Sequence, residues 1–378
     1  MSNHNEAAYW LALINNSGLK LSQLKPIAQQ WHLMEGKSIA QIFNVPPKEL
    51  VDRFALSEDE AHRLRKAADS QPAQMKQLEQ WHQAGIELLT LGHPHYPTKL
   101  IYALPPKQQP LFLWAKGATQ HLAEPTITIL GSETPDPEVI EFVDSLVTLL
   151  ASENMSVVSG YGKGLDRIAF DTMLGSEDGR GIAVLPMGLT AFSQITTKLD
   201  TVITAEKCLL ISPFAPDVAY SERFAEARNV LVDSLALALL VPQADETTAP
   251  RAKAALERGL PVLVGMTDSP ANRDLIDRGA FLMTDPGEVV DMVQQALIDD
   301  TLQAQIAQAP ATETAPPPPL KEESVSVLDE DDDYALGNEV IDPLAADEAL
   351  DILSSMGSVP DTLRARLMAA EAQRKHDE

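Results

Sequence analysis

The sequence predicts an α/β protein in which a doubly wound, mostly parallel sheet follows a small helical domain and precedes an acidic tail. Three observations support this prediction. A strand, a glycine-rich turn, a helix and a second strand follow one another within residues 156–188, apolar strands and helices alternate from residue 86 to residue 297, and proline and acidic residues accumulate after residue 301. Such alternation is typical of a parallel sheet with helices on both faces.

The glycine-rich unit reads SVVSG, YGKGLDRIAFDTMLG and RGIAVLPMG along residues 156–188. Its two apolar strands flank a helix that begins at Leu165, so the second strand lies parallel to the first through a right-handed crossover. Glycines let the backbone approach a ligand closely, and the free N–H groups at a helix start favour an anion, usually a phosphate. Lys163 adds a cation in mid-turn. The unit therefore predicts a phosphate-bearing ligand.

The spacing of these glycines leaves a second interpretation open. GYGKG at residues 160–164 matches neither the G-x-G-x-x-G dinucleotide fingerprint nor the G-x-x-x-x-G-K-[ST] phosphate loop. In the alternative interpretation the glycines serve only a tight turn between strand and helix. Asp166, at the second helical position, interacts favourably with the helix dipole, and we interpret it as a capping residue and not as a catalytic base.

The N-terminal segment at residues 6–68 has apolar residues at three- to four-residue spacing, which predicts a compact bundle of short helices. Ser57 and Glu60 carry the signature of a capping box at the start of one of them. Such a bundle favours a structural or protein-contact role. In the loop that follows, His93 and His95 lack a third ligand for a metal, so we predict no metal site there.

The rest of the body alternates in the order expected of the doubly wound sheet. The predicted strands lie at residues 86–91, 111–114, 125–130, 157–158, 182–185, 208–211, 235–241, 260–265 and 281–284, and the predicted helices lie at 73–84, 137–151, 165–174, 221–230, 250–258, 271–278 and 288–297. A ligand belongs at the carboxyl ends of such strands. Gly131-Ser132, Ser159-Gly160 and the turn after Leu185 all fall there.

Composition limits the function further. The chain of 378 residues has a formal net charge of -26, which argues against a general binder of nucleic acid or acidic membrane. The charge is uneven, because residues 310–378 contain 17 acidic and 5 basic side chains. The single cysteine, Cys208, excludes a disulfide framework and favours a reducing cytoplasm. Neither a signal peptide nor an apolar run long enough to span a bilayer is visible, so we expect no membrane partner.

These patterns divide the chain into four expected parts. A helical domain occupies residues 1–70 and the α/β domain occupies residues 71–300. A linker rich in proline and acid, at residues 301–340, has too little apolar content to fold. Two short apolar-periodic segments within residues 341–378 predict C-terminal helices that either dock or stay solvated.

Six stretches resemble, in order, motifs of the DNA-processing protein A family (DprA, also called Smf). They are GIELLTLGHPHYPTKLIYALPPKQQPLFLWAKGA, SGYGKGLDRIAF, GIAVLPMGL, AEARNVLV, AALERGLPVLVG and NRDLIDRGAFLMTD. The second is similar to the family's SG-x-x-R-G-[IL]-D-x-x-A-H, with Lys163 where an arginine is usual. The resemblance covers residues 75–290, and a helical N-terminal domain of the SAM or helix-hairpin-helix kind is compatible with it.

The resemblance implies a Rossmann-like domain that binds single-stranded DNA and hands it to a RecA-type recombinase in DNA processing, recombination or natural transformation. It implies no chemical step, no metal and no cofactor, and it leaves a homodimer open. Backbone N–H groups and serine hydroxyls would hold phosphates, and a lysine and an arginine would supply charge. The DNA-facing candidates carried over by position are Gly131, Ser132, Ser159, Gly160, Lys163, Gly164, Arg228 and Asn229.

Besides Lys163, three further positions depart from the family pattern. Glu133 replaces the arginine of Gly-Ser-Arg, Phe170 replaces the histidine after Asp-x-x-Ala, and Val230 replaces the second arginine of Arg-Asn-Arg. The absence of a phosphate-binding side chain weakens DNA binding. Two alternative functions therefore stay open. One is a sensor of a nucleotide or other small phosphate ligand, in which Glu133 accepts hydrogen bonds from a ribose, and the other is a protein-contact module that has lost its ligand.

Overall fold

The computed structural model describes residues 3–105, 108–193, 197–265, 267 and 269–308. Its first part is helical, as the apolar spacing predicts. The helices are α1 (Asn3–Asn16), α2 (Leu21–Ile27), α3 (Ile39–Ile42), α4 (Pro47–Phe54), α5 (Glu58–Ala67) and α6 (Gln71–Gln83), with a π-helical turn at Ala28–Met34 continuing α2.

Helix α5 begins at the predicted capping box. The Ser57 Oγ accepts a hydrogen bond from the Glu60 N–H at 3.2 Å, and the Glu60 Oε2 accepts one from the Ser57 N–H at 2.7 Å. The two side chains thereby satisfy N–H groups that a helix start leaves without partners. Helix α6 packs against both α1 and the first strand, so it joins the helical part to the sheet.

A nine-stranded sheet forms the centre of the described structure. Its strands are β1 (Ile86–Thr90), β2 (Phe112–Gly117), β3 (Thr126–Ile129), β4 (Ser156–Ser159), β5 (Gly181–Val184), β6 (Cys208–Ser212), β7 (Leu239–Val241), β8 (Val262–Val264) and β9 (Phe281–Leu282). They lie in the order β1-β2-β6-β5-β4-β3-β7-β8-β9. All pairs from β6 to β9 are parallel, whereas β2 pairs antiparallel with both β1 and β6. The prediction of a mostly parallel α/β sheet is confirmed.

The order of the parallel strands places helices on both faces. The chain steps outward from β3 to β6 and then returns past β3 to β7, so its direction reverses between β3 and β7. Because crossovers between parallel strands are right-handed, the helices before and after this reversal cover opposite faces. The connecting helices are α7 (Lys99–Ala103), α8 (Pro137–Ser152), α9 (Leu165–Gly175), α10 (Leu189–Ser193), α11 (Thr197–Thr204), α12 (Glu222–Leu235), α13 (Ala249–Glu257), α14 (Pro270–Asp277) and α15 (Pro286–Gln308).

The apolar run at residues 235–241, predicted as a single strand, is divided between a helix and a strand. Helix α12 continues to Leu235, and β7 begins only at Leu239. Leu231, Val232 and Leu235 are all buried and follow helical spacing, so core packing extends the helix into the run. The prediction of one strand over this whole run is therefore wrong.

Helix α15 continues to Gln308, beyond residue 300, where we placed the end of the α/β domain. Asp300 anchors it to α7, since its carboxylate pairs with the Lys99 Nζ at 3.0 Å and accepts a hydrogen bond from the Tyr102 hydroxyl at 3.1 Å. Local composition cannot predict these contacts, because they join residues that are distant in sequence. The predicted C-terminal helices within residues 341–378 lie outside the described residues.

The buried apolar side chains of the helical part and of the sheet form one continuous core, which includes Trp10 of α1 and Val184 of β5. A smaller cluster fills the space around β7 and β8. Within the ranges given above, no helix is both long and apolar enough to cross a lipid bilayer.

Candidate phosphate-binding site at the glycine turn

Two turns meet at the carboxyl ends of β3 and β4. The turn after β3, residues 131–134, lies directly against the glycine turn, residues 160–164. The Leu165 N–H donates to the Ser132 carbonyl at 3.1 Å, and a Cβ atom at Gly164 would overlap the backbone of Ser132 and Glu133. Gly164 has a φ of +64°, which favours glycine. Only a glycine therefore allows the two backbones to approach this closely.

The reversal point between β3 and β7 is bridged by Gln243. Its carbonyl accepts a hydrogen bond from the Ser132 N–H at 2.8 Å, and its side-chain amide exchanges hydrogen bonds with Asp136 at 2.9 and 3.0 Å. A doubly wound sheet commonly binds its ligand at such a reversal point. Here Gln243 ties the turn after β3 to the segment after β7 at this position.

Asp166 and Ser159 hold the glycine turn in shape. The Ser159 hydroxyl donates to the Asp166 Oδ1 at 2.6 Å and accepts from the Tyr161 N–H at 2.7 Å, while the Asp166 Oδ2 accepts from the Gly162 N–H at 2.9 Å. Both side chains are buried. Asp166, predicted to cap the helix start, accepts these hydrogen bonds from the turn that precedes α9. Ser159, predicted to face a phosphate, instead has its hydroxyl committed to the turn.

Arg228 reaches the glycine turn from α12. Its guanidinium occupies the space that a side chain at position 160 would fill, so the glycine at this position is needed to accommodate it. Arg228 is only 8% exposed, and its Nε has no hydrogen-bond partner. Among the residues that the structure describes, no carboxylate lies within ion-pair distance of it. Burial first, and then the charge of Arg251, lower the pKa of Arg228 to about 10.

Lys163 is exposed at the mouth of the same turn. Its ammonium forms no ion pair, and its own N–H and that of Gly164 have no hydrogen-bond acceptor, among the described residues. Two amides and one ammonium therefore stay available to an anion. Glu133 is exposed, and its Cα lies against Gly164. Its carboxylate lowers the positive potential at this edge of the site.

Arg167 is a third cation at this site, and the sequence prediction missed it. Its guanidinium lies over the Tyr161 ring at 3.4 Å from the centroid and donates to the Tyr161 carbonyl at 3.2 Å, while its Nε is buried without a partner. The signal was its position. An arginine in the first turn of α9 opposes the helix dipole, and here its contacts with Tyr161 offset that cost.

Asn229 faces away from the glycine turn. With Val230 it lines a separate apolar cleft of about 500 Å³, enclosed by α1, α2, α12, α13 and residues 108–112. Neighbouring residues on a helix point about 100° apart, so Arg228 and Asn229 serve different surfaces. The structure thus groups Gly131, Ser132, Gly160, Lys163, Gly164 and Arg228 around the two turns and separates Asn229 from them.

The three departures from the family pattern lie in three different environments. Phe170 is fully buried and packs edge-on against Tyr161 at 5.5 Å between ring centroids, so it belongs to the core below the turn. Val230 lies at the apolar cleft. Only Glu133 lies at the mouth of the glycine turn, and it is the one departure that changes the charge there.

Comparison with known proteins identifies the family. The model of the family described as DNA recombination-mediator protein A matches residues 87–294. Protein Smf of Synechocystis sp. is 27% identical over 251 residues, which are 64% of this chain and 59% of that protein. Protein Smf of Escherichia coli is 26% identical over 223 residues, which are 57% of this chain and 59% of that protein.

The fold has a counterpart of known structure. The X-ray structure of DNA processing protein A (DprA) from Streptococcus pneumoniae superposes with a TM-score of 0.58 at 20% identity, over 75% of this chain and 97% of that one. This likeness shows a shared fold. The matches span 59% of the length of the two Smf proteins, so the relatives extend beyond the matched region. Since the family model covers more than half of this chain, including both turns of the site, the chain belongs to the DNA recombination-mediator protein A family.

Proposed function

We propose that this chain binds single-stranded DNA at the glycine turn and acts as a recombination mediator without a chemical step. The observation that carries the proposal is Arg228, a guanidinium 8% exposed that forms no ion pair among the described residues, although the charges of Asp166 and Asp233 act on it from a greater distance. A buried, unpaired charge destabilises a fold, and such groups concentrate where a ligand supplies the missing charge. Membership in the family indicates that the ligand is DNA.

The division of charge supports a phosphate ligand. Lys163, exposed, attracts the strand and contacts its backbone, while the N–H groups of Lys163 and Gly164 donate hydrogen bonds to phosphate oxygens. Arg228 acts deeper, where low solvent access strengthens its interaction with an anion. Contacts of this kind position a strand without reading its sequence.

The candidate chemical groups are committed to structure. Asp166 holds Ser159 and Gly162, so its carboxylate is not free to move a proton. Cys208 is buried in β6, and burial raises the pKa of its thiol to about 12, which keeps it an unreactive thiol at neutral pH. These contacts favour a binding protein. Transfer of the strand to a RecA-type recombinase, and a homodimer, belong to the same proposal and rest on the family alone.

The proposal predicts salt-sensitive binding of single-stranded DNA. We expect Lys163→Glu and Arg228→Met each to weaken binding of an oligonucleotide with phosphate at both ends by about tenfold. We also expect the slope of log affinity against log salt to fall by about 0.7 for each phosphate that the variant no longer neutralises. Fluorescence anisotropy at several salt concentrations measures both quantities.

Lys76→Glu is the matched control. Lys76 is exposed on α6, which packs at the β1 edge of the sheet, and its replacement makes the same change of charge as Lys163→Glu. We expect a much smaller change in affinity for this variant. Equal losses in Lys76→Glu and Lys163→Glu would assign binding to overall charge, and binding that is insensitive to salt would contradict the proposal.

A second prediction concerns stability in the absence of DNA. Because the pKa of Arg228 is lowered relative to the unfolded chain, its charge destabilises the folded state at every pH below about 10. We expect Arg228→Met to raise the free energy of unfolding by about 2 kcal/mol at neutral pH, measured by urea denaturation. A variant that is less stable would show that Arg228 is a structural residue.

Glu133 supports a second candidate function, the sensor of a nucleotide or other small phosphate ligand. Its exposed carboxylate lies beside Gly164, where it repels a DNA backbone and can accept hydrogen bonds from a ribose. The two candidates separate in one titration. Binding of mononucleotides without binding of oligonucleotides favours the sensor, and Glu133→Gln then weakens the nucleotide, whereas it strengthens binding if the ligand is DNA.

A further inference from the structure

The depth of Arg228 restricts which phosphate it can contact. Its guanidinium lies in the recess over Gly160 that a side chain would otherwise fill, and it is 8% exposed. Within the described ranges it has neither an ion pair nor a hydrogen bond at Nε. The exposed Lys163 lies three residues further along the same turn. The site therefore offers one cation at its surface and another at its base.

An internal phosphodiester fits the surface cation better than the deep one. It carries one charge and two free oxygens, and a sugar on each side keeps it from entering a narrow recess. A terminal phosphate monoester is joined to the strand through one oxygen only. It presents three free oxygens and a charge between about -1.5 and -2 at pH 7. Such a group can approach the buried guanidinium of Arg228 more closely than an internal phosphodiester can.

The charges around the glycine turn match a dianion better than a monoanion. Arg228 has a buried Nε without a hydrogen-bond partner at the base of the turn, and Arg167, stacked on Tyr161, adds a second positive charge beside it. Asp166 is the opposing carboxylate, and its two oxygens already accept from Ser159 and Gly162. The N–H groups at the start of α9, an eleven-residue helix, add further positive potential.

We propose that the glycine turn is an end-binding site, in which Arg228 receives a terminal phosphate monoester of a single strand while Lys163 contacts the adjoining backbone. This inference rests on the proposed function, because it specifies which phosphate of the DNA is bound deepest. The geometry specifies that the bound group is a phosphate monoester, and it fits a 5′-phosphate and a 3′-phosphate alike.

The test compares oligonucleotides of one sequence with a 5′-phosphate, with a 3′-phosphate, with hydroxyls at both ends, and closed into a circle without ends. Each carries the same internal dye. We expect at least one of the two phosphorylated forms to bind about tenfold more tightly than the hydroxyl and circular forms. In Arg228→Gln the ratio of the affinities for the phosphorylated and hydroxyl forms falls to about one. Lys163→Glu weakens binding of all four forms by a similar factor.

Gly160→Ala provides a second route to the same answer. Its methyl group takes the space of the guanidinium, so we expect the preference for a phosphorylated end to disappear although Arg228 is retained. Equal affinity of the parent protein for all four oligonucleotides, or a preference that persists in Arg228→Gln, overturns the end-binding site and leaves DNA binding itself intact. Failure of every oligonucleotide to bind, with or without binding of a mononucleotide, overturns the proposed function as well.

Discussion

Gly164→Ala should destabilise the protein by at least about 4 kcal/mol. Gly164 precedes α9 at φ +64° and ψ -135°, a conformation that side-chain-bearing residues rarely adopt. An alanine Cβ at this position would also overlap the Ser132 carbonyl and the Glu133 Cα. Both obstacles are backbone atoms, so relief requires that the two turns move apart. Urea denaturation followed by circular dichroism measures the loss.

Two other glycines of the same βαβ unit serve as controls. Gly175 ends α9 with open space around its Cα, so we expect Gly175→Ala to be neutral or stabilising by up to about 1 kcal/mol. In Gly160→Ala the nearest atoms to the added Cβ belong to the flexible tip of Arg228, so stability should be nearly retained while the preference for a phosphorylated DNA end is lost. Similar losses of stability in Gly164→Ala, Gly175→Ala and Gly160→Ala would show that the close approach of the two turns makes no special contribution to stability.

The alternation of strands and helices was enough to predict the parallel part of the sheet. It did not predict how the first two strands join it. β1 and β2 form an antiparallel pair that adds to β6, far along the chain, through Lys116 paired with Leu210 and Ala115 with Ile211. Strand pairing depends on contacts between distant segments, whereas periodicity reports only which face of each segment is apolar.

The same distinction explains the site. The glycine turn was visible locally, because glycine spacing and a helix start are neighbours in sequence. The chemical state of each side chain was not. That state depends on how α12 packs across β3, β4 and β5. In the folded chain Ser159 binds Asp166 and Arg228 is buried, and neither outcome follows from the local sequence. Family position alone placed Arg228 and Asn229 together, and helix geometry separates them.

Asp233→Ala should be the second most destabilising change. Asp233 is 3% exposed on α12, and its Oδ1 accepts from the Arg251 Nε at 3.0 Å and Nη2 at 2.6 Å, while its Oδ2 accepts from the Arg258 Nη2 at 2.6 Å. Removal of one partner from a buried ion pair leaves a charge in a poorly solvated place. We expect a loss of about 3 kcal/mol, at the lower end of the usual range because Arg258 is partly exposed. Urea denaturation measures it.

A second triad, in which one aspartate also pairs with two cations, provides the control. Asp274 on α14 pairs with Lys253 at 2.6 Å and Arg278 at 3.2 Å, but these side chains are between 35% and 51% exposed. Water and salt screen such a pair, so Asp274→Ala should leave stability nearly unchanged.

The double variant Asp233→Ala, Arg251→Ala should recover part of the loss, because the stranded guanidinium is then absent. Equal losses from Asp233→Ala and Asp274→Ala would mean that burial does not decide the strength of these pairs.

Asp233 also has a bearing on function, since its charge raises the pKa of Arg228 while the charge of Arg251 lowers it. Removal of Asp233 therefore makes the Arg228 cation still less favourable in the unbound protein. If a DNA phosphate is its missing counter-ion, bound DNA should restore more stability to Asp233→Ala than to the parent protein.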